Sequence, residues 1–247
     1  MRFKNRVVIV TGSSRGIGKS LALAFAKEGA KVVVNYVNSR ELAEKVVEKI
    51  RSMKGEAFAV KTDVRQIDQV QKMVNQTLET FGKIDILINN AGFYKDSTVW
   101  KMSEDIWDEV IDVNLKGTFN CTKAVVNHMR KQEWGRIINI SSVVGQIGVF
   151  GTSNYSAAKA GLFGFTKAVA KEVANKGITV NALTFGYFDI GMLRRLPEEI
   201  QKMILAKIPM GRFGKLEEAN EAALFIASEG ASYLTGQVIH LNGGYYM

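Results

Sequence analysis

Short β-branched runs and stretches of helical apolar spacing take turns along almost the whole chain, and few architectures accommodate that alternation. The runs fall at residues 6–11, 31–36, 57–61, 84–89, 136–141, 179–183 and 238–241. The helical patterns lie between them, at 17–28, 41–53, 66–81, 104–129, 154–175 and 217–227. Strands that read as nearly continuous apolar runs are buried on both faces, and intervening helices are the crossovers that parallel strands require. No linker, low-complexity stretch or internal repeat interrupts the pattern. With 247 residues, 47% of them hydrophobic, the chain can fill one large core, so a single α/β domain over residues 1–247 is expected.

Composition removes several classes of function. Cys121 is the only cysteine, which excludes an intrachain disulfide and reads as a small buried filler. His128 and His240 stand at no metal-ligand spacing, so both read as structural and no metal is expected. The apolar run at 7–10 is far too short for a signal peptide or a membrane span, which points to a cytoplasmic protein without a membrane partner. Net charge is +9, yet no block of five or six Lys/Arg exists and the basic residues are scattered among acidic ones. That argues for a solvated lysine-rich surface and against nucleic acid. The alternative is a field that draws in an anionic ligand, such as a dinucleotide phosphate or an acidic carrier.

The punctuation after the first run is the first chemical signal. Thr11-Gly12-Ser13-Ser14-Arg15-Gly16-Ile17-Gly18 lies between a strand and a helix. Glycines there let the backbone pass close to a pyrophosphate, and the helix N-terminus beyond offers free N–H groups and a positive dipole end. Gly12, Ser14, Arg15, Gly16, Ile17 and Gly18 are therefore candidate cofactor residues in a Rossmann-type doubly wound parallel sheet with helices on both faces. Asn90, Ala91 and Gly92 close the fourth strand in the same crevice. Asp63 and Val64 follow the third, where Asp63 either accepts an adenine amine or caps a turn. An NAD site places a carboxylate at the end of the second strand. Here that end reads Val34-Asn35-Tyr36-Val37-Asn38-Ser39-Arg40, with Arg15 and Arg40 able to flank a 2′-phosphate. NADPH is the expected cofactor and NADH the alternative.

Tyr155 and Lys159 share one face of a helix at i and i+4, and Ser142 ends the fifth strand. An ammonium beside a phenol favours the phenolate, so a partly desolvated Lys159 together with the charge of a nicotinamide is expected to lower the pKa of Tyr155. Tyr155 would then exchange a proton with a carbonyl oxygen as hydride moves, while Ser142 donates to the same oxygen.

The set Thr11–Gly18, Asn89–Gly92, Asn114, Ser142 and Tyr155-x-x-x-Lys159, closed by Leu241-Asn242-Gly243-Gly244, resembles the classical short-chain dehydrogenase/reductases. The resemblance runs from residue 6 to the end. It implies that Asn114 completes a catalytic tetrad, its helix holding a water that relays protons to Lys159. It further implies that Lys159 binds the nicotinamide ribose and that the enzyme is a homotetramer built partly on the helices flanking the fifth strand. The family holds the carboxamide with a Thr hydroxyl that Ile190 replaces here, which leaves backbone groups near Phe188 as the candidates for that contact. The runs Trp134–Val143 and Asn154–Leu162 are similar to 3-oxoacyl-[acyl-carrier-protein] reductases of fatty acid biosynthesis and nearly as similar to acetoacetyl-CoA reductases. A 3-oxoacyl thioester, on acyl carrier protein or CoA, is the substrate so implied. Another carbonyl, such as a sugar or cyclic ketone, and a non-catalytic nucleotide-binding regulator are the competing readings.

Two positions depart from the family. After the sixth strand it usually has Pro-Gly and then a Thr, where this chain has Phe185-Gly186-Tyr187-Phe188-Asp189-Ile190, and Ile190 has no hydroxyl. The two basic residues presented to an acidic carrier align with Glu133 and Lys176. The irregular stretch 185–210, with Gly186, Gly191, Pro197 and Pro209, is either a mobile substrate lid or an excursion with its own small core.

Overall fold

The computed structural model describes residues 1–190 and 193–247. Among these, seven strands form one parallel sheet: β1 (Val7–Val10), β2 (Lys31–Tyr36), β3 (Ala57–Lys61), β4 (Ile86–Asn89), β5 (Gly135–Ser142), β6 (Ile178–Phe185) and β7 (Val238–Leu241). Their order is β3-β2-β1-β4-β5-β6-β7, so the chain reverses direction across the sheet between β1 and β4. That switch point opens a crevice at the strands' C-terminal ends, where such sheets bind ligands.

Alternation along each strand divides the core in two. Val8 and Val10 pack with Leu21 and Phe25 of α1 (Gly16–Lys27), Val46 and Ile50 of α2 (Arg40–Ser52), and Leu224 of the last helix. Ile9 faces the other way, toward Val70 and Met73 of α3 (Ile67–Phe81) and the helices that precede and follow β5. Both faces of the sheet are thus covered, as the apolar runs require. Cys121 is buried in the second layer, and burial pushes its thiol up to about 12, consistent with an inert filler.

The pattern at 104–129 reads as one helix but is three segments. α4 (Glu104–Ile111) starts on a cap in which the Ser103 hydroxyl accepts from the Ile106 N–H at 3.3 Å. A π turn spans Asp112–Lys116, and α5 (Gly117–Lys131) continues from it. β5 is followed by a short helix unforeseen in the sequence, α6 (Val144–Ile147), and then by α7 (Ser153–Val173). β6 runs further than its pattern, through Phe185. The stretch 185–210, of which Gly191 and Met192 lie outside the described residues, contains a 3-10 turn at Leu193–Arg195 and α8 (Glu198–Leu205). Leu193 and Ile208 are buried, which gives the stretch apolar anchors of its own. The last helix is α9 (Leu216–Ala227), where the Glu218 carboxylate reaches back to accept from the Lys215 N–H at 2.8 Å.

Candidate active site

The glycine turn after β1 is packed against the end of β4. Gly12 and Gly16 have φ of +62° and +59°, where a side chain would be strained. A Cβ on Gly12 would lie 2.9 Å from Ala91 Cα, and one on Gly18 would lie 2.4 Å from Asn90 Nδ2. At Gly16 it would meet nothing within 4 Å, so this part of the turn faces open space. The Thr11 hydroxyl accepts from the N–H groups of Asn90 and Ala91, both at 2.9 Å, and the Asn90 amide donates back to the Thr11 carbonyl at 2.9 Å. α1 begins with no capping side chain and no acidic residue in its first turn. Its positive end is left for an anion, and the cradle fits a dinucleotide pyrophosphate. Ser14 and Arg15 sit at its rim, with Arg15 exposed.

A residue not singled out in the sequence holds this turn. Asn35, buried in β2, accepts from the Gly12 N–H at 2.9 Å, donates its amide to the Thr62 carbonyl at 3.0 Å, and donates its own N–H to the Ser13 hydroxyl at 3.0 Å. An amide inside the run Lys31-Val32-Val33-Val34-Asn35-Tyr36 was the available signal, since a buried polar group needs partners.

Asp63 takes the turn role. Its carboxylate accepts from the Arg65 N–H at 3.0 Å and from the Arg65 guanidinium at 2.7 Å, and these bonds hold it below the usual carboxylate range. An adenine amine at this position would share an oxygen with Arg65. The Val64 carbonyl accepts from the Asn120 amide at 2.9 Å. The end of β2 presents Tyr36 and no carboxylate. Arg40 there is exposed, with its Nε 4.0 Å from Glu44.

The four catalytic candidates converge across three elements. Lys159 is buried on α7, where its ammonium donates to the Ile140 carbonyl at 2.9 Å and lies 5.5 Å from the centroid of the Tyr155 ring. Ser142 ends β5, its hydroxyl accepting from the Val144 N–H at 3.2 Å. Asn114 sits in the π turn. Its amide donates to the Phe93 carbonyl at 2.6 Å and the Val110 carbonyl at 2.9 Å, while its Oδ1 is buried without a protein partner. A Cβ on Gly92 would lie 3.1 Å from that oxygen and 3.6 Å from the Lys159 ammonium. The absent side chain leaves a gap between the two groups, and buried polar groups left unpaired by protein are where ordered water resides.

A second residue that sequence reasoning passed over fixes Tyr155. Asn154 is fully buried, accepts from the Tyr155 N–H at 2.8 Å, and donates to the carbonyls of Lys95 (3.1 Å) and Ile106 (3.3 Å).

Burial governs the proton chemistry of the chain's own groups. Burial pushes the Tyr155 phenol up to about 12; the Ser142 hydroxyl pulls it down, and Asp96 and Tyr94 push it further up. Burial likewise pushes Lys159 down to about 8. Both groups are desolvated, the ammonium points at the Ile140 carbonyl, and burial dominates the phenol's shift. Tyr155 is a neutral phenol held beside a hydroxyl.

Beyond the end of β6, Phe188 is buried with its ring 5.1 Å from that of Phe185, and its carbonyl accepts from the Ile190 N–H at 2.7 Å. The Ile190 side chain packs against the core. Backbone groups near Phe188 are thus partly engaged already.

A phosphate cradle at the switch point, opposite a phenol that can give one proton to a carbonyl oxygen, is the arrangement of a nicotinamide-dependent oxidoreductase. The chain belongs to the short-chain dehydrogenase/reductase family, and its counterparts by sequence are reductases of carrier-bound thioesters. The family model described as enoyl-(acyl carrier protein) reductase matches residues 12–246. A 3-oxoacyl-[acyl-carrier-protein] reductase of Staphylococcus epidermidis is 46% identical over 98% of this chain and 100% of the relative. One from Thermotoga maritima is 44% identical over 99% of each, and one from Synechocystis 48% identical over 98% and 97%. A solved structure from Sinorhizobium meliloti 1021, described as a short-chain alcohol dehydrogenase, superposes with a TM-score of 0.92 at 36% identity, covering 98% of this chain and 96% of that one. No helix among the described residues is long and apolar enough to cross a membrane.

Proposed function

We propose that this protein reduces a 3-oxoacyl thioester to the 3-hydroxyacyl thioester with NADPH. The observation that carries the reading is the Tyr155 phenol, kept neutral by burial with the Ser142 hydroxyl beside it, in a chain 46% identical to a 3-oxoacyl-[acyl-carrier-protein] reductase. Gly12, Ser14, Arg15, Gly16, Ile17 and Gly18 would hold the cofactor's phosphates, Asp63 and Val64 its adenine end, and Asn90, Ala91, Gly92 and Phe188 the nicotinamide half. The cofactor supplies a hydride to the ketone carbon. Tyr155 gives its proton to the ketone oxygen, and Ser142 donates a hydrogen bond to that oxygen as charge develops. Lys159 binds ribose and, with Asn114 Oδ1 across the Gly92 gap, returns a proton toward Tyr155.

The absence of a carboxylate at the end of β2 supports NADPH over NADH. The exposed apolar side chains Trp107, Phe119 and Phe225 on three helices support a homotetramer, and the relatives' role in lipid metabolism fits a cytoplasmic location. One observation favours CoA over carrier protein as the thioester's bearer. The ammonium of Lys176 bonds the Glu133 carboxylate at 2.9 Å, so the two positions that would greet an acidic carrier neutralise each other.

Following cofactor oxidation with acetoacetyl-CoA, acetoacetyl carrier protein and simple ketones tests the reading, with NADPH and NADH in parallel. Turnover of the thioesters well above simple ketones, faster with NADPH, is the expected result. Reduction of cyclic ketones or sugars in preference would sink it.

A further inference from the structure

The segment leaving β4 crosses the front of the site as a strap, and it is fixed with unusual care. The Phe93 carbonyl accepts from the buried Asn114 amide at 2.6 Å, and the Lys95 carbonyl accepts from the buried Asn154 amide at 3.1 Å. Ser97 then pairs with the loop before α7, its N–H donating to the Gly151 carbonyl at 2.8 Å. Tyr94 stands between the first two anchors. It is 47% exposed, yet its ring lies edge-on to that of the catalytic tyrosine, 6.5 Å between centroids at 72°. At that separation two rings are in contact, and no acyl chain passes between them. A large exposed aromatic side chain is therefore displayed in the site from backbone whose neighbouring carbonyls are both held by buried amides that also serve the catalytic helices.

We propose that Tyr94 is a specificity-determining residue: a fixed aromatic wall beside Tyr155 that limits the bulk of the group flanking the substrate's ketone. The proposal rests on Tyr155 as proton donor, because a ketone oxygen placed at its hydroxyl puts one substituent of the carbonyl carbon against the Tyr94 ring. An unbranched 3-oxo chain lies flat along that ring. A branch or an aryl group next to the ketone collides with it. The ring's shape does this, so the Tyr94 hydroxyl is dispensable.

The test uses Tyr94→Ala and Tyr94→Phe with two substrate pairs: acetoacetyl-CoA against 2-methylacetoacetyl-CoA, and ethyl acetoacetate against ethyl benzoylacetate. Tyr94→Ala should raise kcat/KM for the bulkier member of the pair whose bulk lies on the ring's side of the ketone, moving that bulky-to-small ratio by about tenfold or more, the scale on which apolar pockets discriminate, and the pair that responds identifies the flanking group. KM should change more than kcat, since Tyr155 and Lys159 stay in place. Tyr94→Phe should keep the wild-type ratio. Unchanged ratios in both pairs for Tyr94→Ala, or Tyr94→Phe behaving like Tyr94→Ala, overturn the proposal. Should the wild type reduce the esters and no thioester, the thioester reading fails, and a shifted ester ratio still supports the wall. Melting curves of both variants confirm that the strap is intact, because its anchors are backbone carbonyls.

Discussion

Burial drives the two central titratable groups in opposite directions, and both shifts have consequences that can be measured. With its phenol at about 12, Tyr155 is protonated at neutral pH, the state a reduction needs. Tyr155→Phe should lower kcat by roughly 10²–10⁴-fold, the usual worth of a positioned acid, and leave cofactor binding nearly unchanged by fluorescence titration. Lys159→Ala should damage both. Lys159 also carries a stability cost. Its folded pKa of about 8 lies below the ordinary lysine value of 10.5, so between these two the unfolded chain binds a proton that the folded chain has released. Stability therefore rises with pH across that window, and the cost of the buried charge is present in full below it. The shift corresponds to roughly 3 kcal/mol, net of the bond to the Ile140 carbonyl. Lys159→Met should accordingly melt above the wild type near pH ~7, with the gap closing as pH approaches ~10. A gap that stays constant with pH would show the lysine to be charged in both states throughout. None of this was legible in Tyr155-x-x-x-Lys159, since desolvation depends on everything packed around the pair; the sequence pattern supports only the attraction between them.

The elements were largely readable, and the misses share a cause. Apolar periodicity locates strands and helices because it is the imprint of the core, and β2, β3 and β7 have the bounds their patterns indicate. The π turn was not readable, because apolar residues continue at near-helical spacing through Val110 and Cys121 and one widened turn barely disturbs them. Its function lies in the hydrogen bonds it reroutes: the Val110 carbonyl accepts from the Asn114 side chain, which also ties down the Phe93 strap. Asn35 and Asn154 were passed over for a related reason, as their partners are distant in sequence. Asn114→Ala should leave two carbonyls without those donors and cost about 1–3 kcal/mol by urea unfolding, with faster amide exchange in the strap. Loss of activity without any loss of stability would mean that Asn114 acts through its Oδ1 alone.

At the scale of the whole molecule, an excess of nine positive charges surrounds a site that handles anions, yet charge placement matters more than the total. Glu133 has φ of +52°, adjoins the tight turn at Gly177, and carries an exposed carboxylate bonded to Lys176. That pair turns a surface two lysines or arginines would make basic into a neutral one. Glu133→Arg would break the pair, free Lys176 and place two like charges where an acidic carrier would approach. The expected outcome is a severalfold rise in kcat/KM for acetoacetyl carrier protein and none for acetoacetyl-CoA, whose small bearer does not reach this surface. Because rim charges act mainly on encounter rates, the gain should fall steeply as salt shortens the screening length from about 10 Å toward 3 Å. An equal gain for both substrates would mean that the reversal acts on the fold or the site. No gain at low salt would mean that a carrier does not dock here, and would leave CoA as the thioester's bearer.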